Sequence, residues 1–395
     1  MSFILNYSTS IKNPYSEKPV ENAVNILKRD IEKSFIPCGE AENNEIRLVK
    51  KDDMNSECFE INVSEEAVVV YAGDDLGFVY GLLYISGKFL GIKPFWFWMD
   101  QKIEKTDKAE ISCGVYESEP FAVKYRGWFF NDEVLFLKWN INGSSNEVWR
   151  MAFEALLRCG GNMTIPGTDK TSRANRALAA EMGLLITHHH AEPLGAEMFA
   201  RAYPDTPATF TEHPDLFYKL WEDAVKEQKE YNVIWNLCFR GQGDKPFWGD
   251  DTSGKYDTPQ KRGELISSVM AKQCEIVKKY VKDPVFCTNL YGEIMELYKD
   301  GYIKSDKDII KVRADNGYGR MVTRRRDNHS LRVSSMTEKG GGSQGIYYHV
   351  SFYDLQAANH ITAFPNTVDF MNSELDKVLE NDGKGLNLTK EVRDG

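Results

Sequence analysis

The chain has 395 residues, of which 42% are apolar, 12% aromatic and 27% charged. This balance excludes a disordered chain, and no apolar run approaches the roughly 18 residues that cross a bilayer. The net charge of -10 disfavours a polyanion-binding surface, because phosphate contacts need a basic face. We therefore expect neither a nucleic-acid nor a membrane partner, and the basic run Arg324–Arg326 is either a local anion site or a solvated loop.

Cysteine usage and the N-terminus indicate the cellular compartment. The seven cysteines are scattered and form no CxxC pair, so neither a zinc knuckle nor a disulfide framework is indicated. The segment Met1–Asn6 lacks the basic residues and long apolar stretch of a signal peptide. We expect a cytoplasmic protein.

The first 118 residues predict a small α+β domain. The predicted elements are a helix over 23–36, strands over 45–50, 58–63 and 67–71, and a second helix over 76–90. Asp74 is placed to cap that second helix. The aromatic run Pro94–Trp98 then follows, and it is either a sugar-stacking surface or a plug against a neighbouring domain.

From residue 124 the pattern changes to repeated units of strand, loop and helix, as parallel βα folds require. Strands are predicted over 125–130, 162–166, 184–190, 233–240, 284–290, 309–314 and 346–352, and an eighth near 384–389. No glycine-rich phosphate turn follows the first of them, which disfavours a doubly wound sheet. We expect an α/β fold in which a (β/α)8 TIM-type barrel occupies residues 119–395.

Polar side chains follow six of these predicted strands, at the end where such barrels carry their chemistry. The segments are Asn131–Glu133, His188–Pro193, Arg240–Asp244, Tyr291–Glu293, Asp315–Gly319 and Tyr347–His349. Acids at several strand ends, with aromatic residues among them, suit carbohydrate hydrolysis. That reaction needs one carboxyl group to protonate the leaving oxygen and another to activate water or attack.

The histidine run invites a metal interpretation. On a strand, His188 and His190 would share a face and His189 would point away, so at most two imidazoles could converge. A hydrogen-bonding role for His190 is therefore favoured over zinc, and we expect no metal and no cofactor. The sequence also lacks the G-x-S-x-G elbow of serine hydrolases and a P-loop.

Four segments at these strand ends resemble glycoside hydrolase family 115, the xylan α-1,2-glucuronidases. They are Tyr125–Glu133 (YRGWFFNDE), His190–Pro193 (HAEP), Phe239–Asp244 (FRGQGD) and Gly345–His349 (GIYYH). The helix around Tyr80–Leu83 and the run Pro94–Trp96 are similar to the domain that precedes the barrel in this family. The likeness extends from about residue 20 to about residue 380.

The resemblance implies an enzyme that removes glucuronic or 4-O-methyl-glucuronic acid from glucuronoxylan, with inversion and without a metal. Glu293 is assigned as general acid and Asp315 as the base that activates water, and the two labels could be exchanged. Arg240 is a suitable fork for the substrate carboxylate. The substrate-binding residues are predicted to be Asp132, His190, Arg240, Asp244, Tyr348 and His349.

The sequence departs from the family pattern in two places. After the sixth strand, Asp315-Asn316-Gly317 stands where many members carry two aspartates and an asparagine. The eighth strand lacks the family's tryptophan, and the family's later dimerisation domains do not follow, so the chain is expected to be truncated at its C-terminus. The partner is then a carbohydrate substrate, and the oligomeric state is left open.

Two alternatives remain open. The first is a catalytically impaired or truncated family member that only binds sugar, which the short eighth strand motivates. The second keeps the fold but changes the sugar, as in a retaining enzyme of the hexosaminidase type. Such an enzyme would not need Arg240, because a neutral sugar carries no carboxylate.

Overall fold

The structure is a computed structural model that describes residues 1–37, 44–130, 136, 138–251, 253–315, 319–321, 343–349, 367–382 and 386–387. The chain divides into two compact units. Unit 1 consists of residues 1–122, 138–162 and 175–184, and unit 2 of residues 123–137, 163–174 and 185–395. Residues 138–162 and 175–184, which lie after the predicted domain boundary at residue 118, group with unit 1.

After residue 124 the predicted strands and helices occur in the predicted order, whereas the strands at 2–6, 10–12, 108–112 and 114–117 were not predicted. In the first third of the chain the elements are β1 (Ser2–Asn6), β2 (Ser10–Lys12), α1 (Lys18–Ser34), β3 (Glu45–Lys50), β4 (Phe59–Val63), β5 (Ala67–Ala72), α2 (Asp75–Phe89), β6 (Lys108–Ser112) and β7 (Gly114–Glu117). They continue with β8 (Gly127–Phe129), α3 (Ser145–Arg158), β9 (Met163–Ile165), α4 (Asp169–Glu181), β10 (Leu185–Ile186), α5 (Phe199–Ala202), α6 (Pro214–Gln228), β11 (Ile234–Asn236), α7 (Pro259–Lys278), β12 (Val285–Leu290), α8 (Glu293–Lys299), β13 (Ile310–Ala314), β14 (Gln344–Tyr347), α9 (Val368–Asp382) and β15 (Leu386–Asn387).

Unit 1 contains a mixed five-stranded sheet in the order β2-β3-β5-β4-β7, with α1 and α2 packed together. Its helix α2 begins as predicted, because the Asp74 carboxylate accepts a hydrogen bond from the Gly77 N–H at 2.8 Å. Gly77 is required there, since a Cβ atom would lie 2.4 Å from the Cys58 carbonyl oxygen. The capped turn therefore fixes where α2 meets the sheet.

A buried group of charges ties α1 to α3 within unit 1, and we call Arg29, Asp30, Glu154 and Arg158 the α3 ion network. Arg29 donates to both Glu154 oxygens at 2.7 and 2.8 Å, and Arg158 donates to the same carboxylate at 2.8 Å. Arg158 also pairs with Asp30. The predicted aromatic run contributes here, because the Trp96 indole donates to Glu154 at 2.9 Å.

Unit 2 carries parallel strands in chain order. One sheet has the order β10-β9-β8 and another the order β11-β12-β13-β14-β15, and all of these pairings are parallel. A parallel bridge between Ile186 and Val233 joins the end of β10 to the segment leading into β11. The predicted eighth strand is present as β15, which pairs with β14. The described fold is thus a mixed α/β fold.

The interior of unit 2 is built from alternate residues of these strands, as the pleat requires. Ile310, Val312 and Ala314 of β13 face the same buried cluster as Ile234 and Cys287, among others. Because the strands are parallel, their carboxyl ends meet at one edge, and the polar side chains of the following loops are brought together there. Among the described helices, none is long and apolar enough to cross a bilayer.

Candidate active site at the strand ends of unit 2

Arg240 stands four residues after the end of β11 and is the most connected side chain of the site. Its guanidinium donates from Nε and Nη2 to the two oxygens of Glu293, both at 2.8 Å, and from Nη1 to the Asp244 carboxylate. The guanidinium is buried, with a side-chain exposure of 4%, whereas Asp244 is 41% exposed. A bidentate arginine–carboxylate pair is among the strongest and most directional of protein contacts.

The loop that carries Arg240 and Asp244 depends on its glycines. At Gly241 a Cβ atom would lie 2.4 Å from an Asp250 carboxylate oxygen and 2.9 Å from the Pro246 carbonyl oxygen. Gly243 and Asp244 both have positive φ angles, of 67° and 62°. The local sequence RGQGD therefore forms a tight turn that directs the carboxylate of Asp244 back onto Arg240.

Glu293 is the first residue of α8 and not a residue of β12. Between the strand and the helix, Gly292 adopts φ 54° and ψ -129°, a conformation that side chains other than glycine rarely allow. Because of this turn, the side chains of Tyr291 and Glu293 point in different directions, although only Gly292 lies between them in the sequence. Glu293 then reaches Arg240, which lies 53 residues earlier in the chain.

Aromatic and imidazole rings form the second part of the site. His190 and Tyr291 are stacked, with centroids 3.9 Å apart and planes 19° apart, and the ring of Tyr347 stands edge-on to His190 at 5.7 Å. His190 Nε2 bonds to the Asp244 carboxylate at 3.0 Å. The His190 ring also lies next to the His189 ring, with the two centroids 3.8 Å apart, and near the positive charge of Arg240.

Asp315 and His349 form a separate buried pair at the ends of β13 and β14. The Asp315 carboxylate bonds to His349 Nδ1 through one oxygen and accepts the Gly319 N–H at 2.6 Å through the other. The backbone N–H of Asp315 continues the ladder by donating to the Tyr347 carbonyl at 3.1 Å. Because the carboxylate has these partners on both oxygens, its position is set by the His349 side chain, which follows β14, and by the Gly319 N–H, which follows β13.

The protonation states of the rings follow from this environment. Burial, then the charges of Arg240 and His349, lowers the pKa of His190 well below its usual value, and burial with His190 and Arg240 lowers the pKa of His189. Burial, followed by Tyr291 and Asp315, raises the pKa of Tyr347 well above its usual value. At neutral pH both imidazoles are therefore neutral and the Tyr347 phenol keeps its proton.

The structure brings together most of the side chains that the sequence analysis named. Arg240, Asp244, Glu293 and His190 form one connected group, and Asp315 with His349 forms the second. Predicted as a clamp for a substrate carboxylate, Arg240 is occupied here by Glu293 and Asp244, so a substrate would have to displace one of them. Asp132 and the run Arg324–Arg326 lie outside the described residues.

Two expectations about side-chain direction need correction. Tyr348 was predicted to bind substrate, but it packs with Met321, Ile346 and Leu375 of α9. Ile346 and Tyr348 lie in this cluster, whereas Tyr347 belongs to the opposite one and its ring lies 5.1 Å from that of His349, so the alternation of β14 continues past its last residue, Tyr347. The alternation of β14 was the signal that could have identified Tyr347.

The histidine run also behaves differently from the prediction. Strand β10 ends at Ile186, so the alternation expected across His188–His190 does not apply. His188 bonds to Gln228 of α6 at 2.7 Å, whereas the rings of His189 and His190 are adjacent in the site. In the described part of the chain, no three His, Cys, Asp or Glu side chains are grouped so that they could hold a metal ion.

Two buried asparagines beneath the rings were not predicted. Asn289 of β12 donates to Asn236 of β11 at 3.1 Å, and Asn236 donates to the His189 carbonyl at 2.9 Å. Both are inward residues of their strands, spaced by two from Cys287 and Ile234. They satisfy backbone and amide groups below the site and hold the loop after β10 in place.

Paired acids, an arginine fork and aromatic rings at the carboxyl ends of parallel strands are the arrangement found in the active sites of α/β enzymes. The sequence comparison then specifies the family. The model of glycosyl hydrolase family 115 matches residues 118–389, which is more than half of the chain. The chain belongs to glycosyl hydrolase family 115. Among curated proteins, no sequence matches it significantly.

The fold is similar to those of solved glycoside hydrolases. The family 115 protein BtGH115A, described as a 4-O-methyl-α-glucuronidase with specificity for decorated arabinogalactans, superposes with a TM-score of 0.75 at 21% identity. That match covers 98% of this chain and 55% of BtGH115A, so the chain spans about half of that protein. A β-hexosaminidase of Streptomyces plicatus has a TM-score of 0.56 at 11% identity, covering 99% of this chain and 83% of its own. The chitobiase of Flavobacterium johnsoniae has a TM-score of 0.53 at 14% identity, with 89% and 57% covered.

Proposed function

We propose that this chain is the hydrolytic part of an α-glucuronidase that removes glucuronic or 4-O-methyl-glucuronic acid from a plant polysaccharide. The observation that carries the proposal is the bidentate contact of Arg240 with Glu293, close to Asp244, in a chain of family 115. A guanidinium held at the centre of a carboxylate-rich site is suited to a substrate that itself carries a carboxylate.

Arg240 and Glu293 suggest how a uronic acid would prepare the reaction. In the structure the Arg240 guanidinium holds both oxygens of Glu293. A substrate carboxylate that takes over the Arg240 fork would remove this counter-ion from Glu293. The Glu293 carboxyl would then be released to contact the leaving oxygen, where a general acid must stand.

Asp315 is proposed as the base that activates water. Its carboxylate is anchored by His349 and by the Gly319 N–H, so it keeps a fixed direction. An inverting reaction would hold the two carboxyl groups roughly 6.5–9.5 Å apart, with the water in between. Exchange of the two roles is the alternative within the same pair. We propose further that β15 closes onto β8 to complete the (β/α)8 barrel, and that the protein acts in the cytoplasm.

The substrate class is tested by release of free uronic acid. Xylo-oligosaccharides that carry 4-O-methyl-glucuronic acid are compared with decorated arabinogalactan, the polymer on which BtGH115A is described as acting. We expect turnover of at least one, unaffected by EDTA. Absence of release from both would contradict the proposal.

The residue assignment is tested with the variants Glu293→Gln and Asp315→Asn. Each should lower kcat by about 10³-fold, within the range that loss of a general acid or base produces. Glu296→Gln on the same helix and Asp308→Asn just before β13 are the matched controls, because both keep the charge change and lie outside the contacts of the site. Activity that survives Glu293→Gln and Asp315→Asn together would remove the assignment.

A chain that binds sugar without turnover is the second candidate. It is favoured by the resting contacts, since an Arg240 fork that never leaves Glu293 would keep that carboxyl from reaching a leaving oxygen. Calorimetric binding of an aldouronic oligosaccharide with no release of uronic acid would support this candidate. Measurable turnover would exclude it.

A further inference from the structure

Tyr291 occupies a central position among the groups of the site, although its hydroxyl is assigned to no step of the proposed reaction. Its ring stacks on His190 at 3.9 Å, and the Arg240 guanidinium carbon lies 5.6 Å from the ring centroid. Tyr347 and His349 approach the same ring at 6.0 and 6.1 Å. Residues that follow three other strands therefore contact one side chain that follows β12.

These contacts form a closed circuit. The Tyr291 ring stacks on His190, His190 bonds to Asp244, and Asp244 bonds to Arg240. Arg240 bonds to Glu293, which is joined to Tyr291 through the single residue Gly292. Since each member has two neighbours in the circuit, the loss of one contact weakens the restraint on all the others.

The covalent part of the circuit is short. Gly292, with a positive φ of 54°, stands alone between Tyr291 and Glu293, and its backbone approaches the guanidinium, since a Cβ atom there would lie 3.4 Å from Arg240 Nη2. A shift of the Tyr291 ring is therefore passed to the Glu293 carboxylate through a single residue. Loss of the stacking on His190 should consequently loosen the position of that carboxylate.

We propose that Tyr291 is a positioning residue whose aromatic ring, and not its hydroxyl, holds His190 and thereby the Asp244–Arg240–Glu293 group in register. This inference rests on the proposed function for its kinetic part only. The ring carries out no proton transfer. It acts through His190 and through the Gly292 turn, by restricting the position of a carboxylate on which the reaction depends.

The ring can be separated from the hydroxyl by two substitutions. Tyr291→Phe keeps the stacked ring and should retain kcat within about 3-fold of the wild type. Tyr291→Leu removes the ring and should lower kcat by about 10²-fold, with KM changed by less than about 3-fold, since a misplacement of about 1 Å can cost this much in rate. Tyr280→Leu, two residues beyond the end of α7, is the matched control and should leave both constants unchanged.

A second measurement does not depend on turnover. In protein labelled at histidine, the ring protons of His190, assigned with His190→Gln, should show the upfield shift produced by a stacked ring. That shift should persist in Tyr291→Phe and be lost in Tyr291→Leu, or in Tyr291→Met if the leucine variant does not fold. An unchanged His190 signal without the ring, or a phenylalanine variant as impaired as the leucine variant, would overturn the inference. If the wild type hydrolyses no uronosyl substrate, the proposed function fails, while the His190 signal still decides whether the ring positions the imidazole.

Discussion

Two arginine–carboxylate groups in this chain use the same chemistry for different ends. In the α3 ion network of unit 1, Glu154 is 1% exposed and receives donors from Arg29, Arg158 and Trp96. In the site of unit 2, Glu293 is 14% exposed and has Arg240 as its partner, and the adjoining Asp244 is largely open to solvent. The first group is closed and satisfied, whereas the second presents its acids to an incoming molecule.

The difference between the two groups is visible in the surroundings of their carboxylates. Burial raises the pKa of Glu154, but the hydrogen bond from Arg29, the charges of Arg158 and Arg29 and the Trp96 bond outweigh it and lower the pKa to about 2. A carboxylate held in this way stays ionised and serves stability. Glu293 instead pairs with Arg240 in a more exposed position, and we propose that a substrate carboxylate displaces it there.

Substitution of glutamate by glutamine in each group is the strongest test of this contrast. Glu293→Gln should lower kcat by about 10³-fold, which is about 4 kcal/mol of transition-state stabilisation, with little change in the unfolding midpoint. Steady-state release of uronic acid, together with thermal unfolding of the same sample, measures both. A loss of activity that only follows a loss of folded protein would place Glu293 with the structural acids.

Glu154→Gln should have the opposite outcome. Removing one partner from a buried ion network costs about 3 kcal/mol of unfolding free energy, because the remaining charges lose their counter-ion. Denaturant unfolding measures this cost, and the kcat of the folded fraction should remain that of the wild type. Glu147→Gln on the same helix, where the carboxylate is exposed, is the control and should cost less than about 0.5 kcal/mol.

The two regions should lose stability in different pH ranges. The Glu154 carboxylate, with its pKa lowered from 4.5 to about 2, contributes stability that is present above pH 4.5 and lost as the pH falls to 2. His190 has a lowered pKa, so below about pH 6.5 the unfolded chain binds a proton that the folded site does not. Stability should therefore already fall below pH 6.5, with a contribution from His190 of up to about 1.4 kcal/mol per pH unit, and His189, whose pKa is also lowered, adds to it. His190→Gln should make this first step shallower in unfolding curves and leave the second, whereas a single decline starting at pH 4.5 would contradict it.

Surface pairs should behave unlike either group. Lys219 and Asp223 form an ion pair on α6, with side chains 65% and 46% exposed. Lys219→Ala should leave the unfolding free energy unchanged within the error of the measurement, since solvent and salt screen such pairs. A larger cost in denaturant unfolding would mean that exposure does not account for the contrast between the two buried groups.

The strand pattern was predictable to a useful degree. Strand β12 spans Val285–Leu290 where 284–290 was predicted, and β13 spans Ile310–Ala314 where 309–314 was predicted. Apolar and β-branched residues recur through both segments, and this local pattern predicts strands without knowledge of the tertiary fold. The prediction was poorer for β10, which ends at Ile186, because the polar histidines that follow leave the sheet.

The candidate site was predictable as a set of residues and not as a set of contacts. Parallel strands meet at their carboxyl ends, so Arg240, Asp244, Glu293, Asp315 and His349 could be expected near one another from sequence order alone. Tyr348 was predicted to bind substrate and Tyr347 was not. Alternation along the strand places the two side chains on opposite faces, with Tyr347 on the face of the site. The sequence did not predict that Glu293 already occupies the Arg240 guanidinium, which was expected to bind the substrate carboxylate.

The sequence by itself determined which segments form strands and helices in unit 2, the order of the parallel strands and which polar residues follow them, because these depend on periodicity and local turn preferences. Only the tertiary structure decided which acid each arginine contacts. Arg29 and Glu154 lie 125 residues apart, and Arg240 and Glu293 lie 53 apart. Such contacts depend on the packing of distant elements and on the burial that results, and burial decides whether an ion pair serves stability or remains open for chemistry.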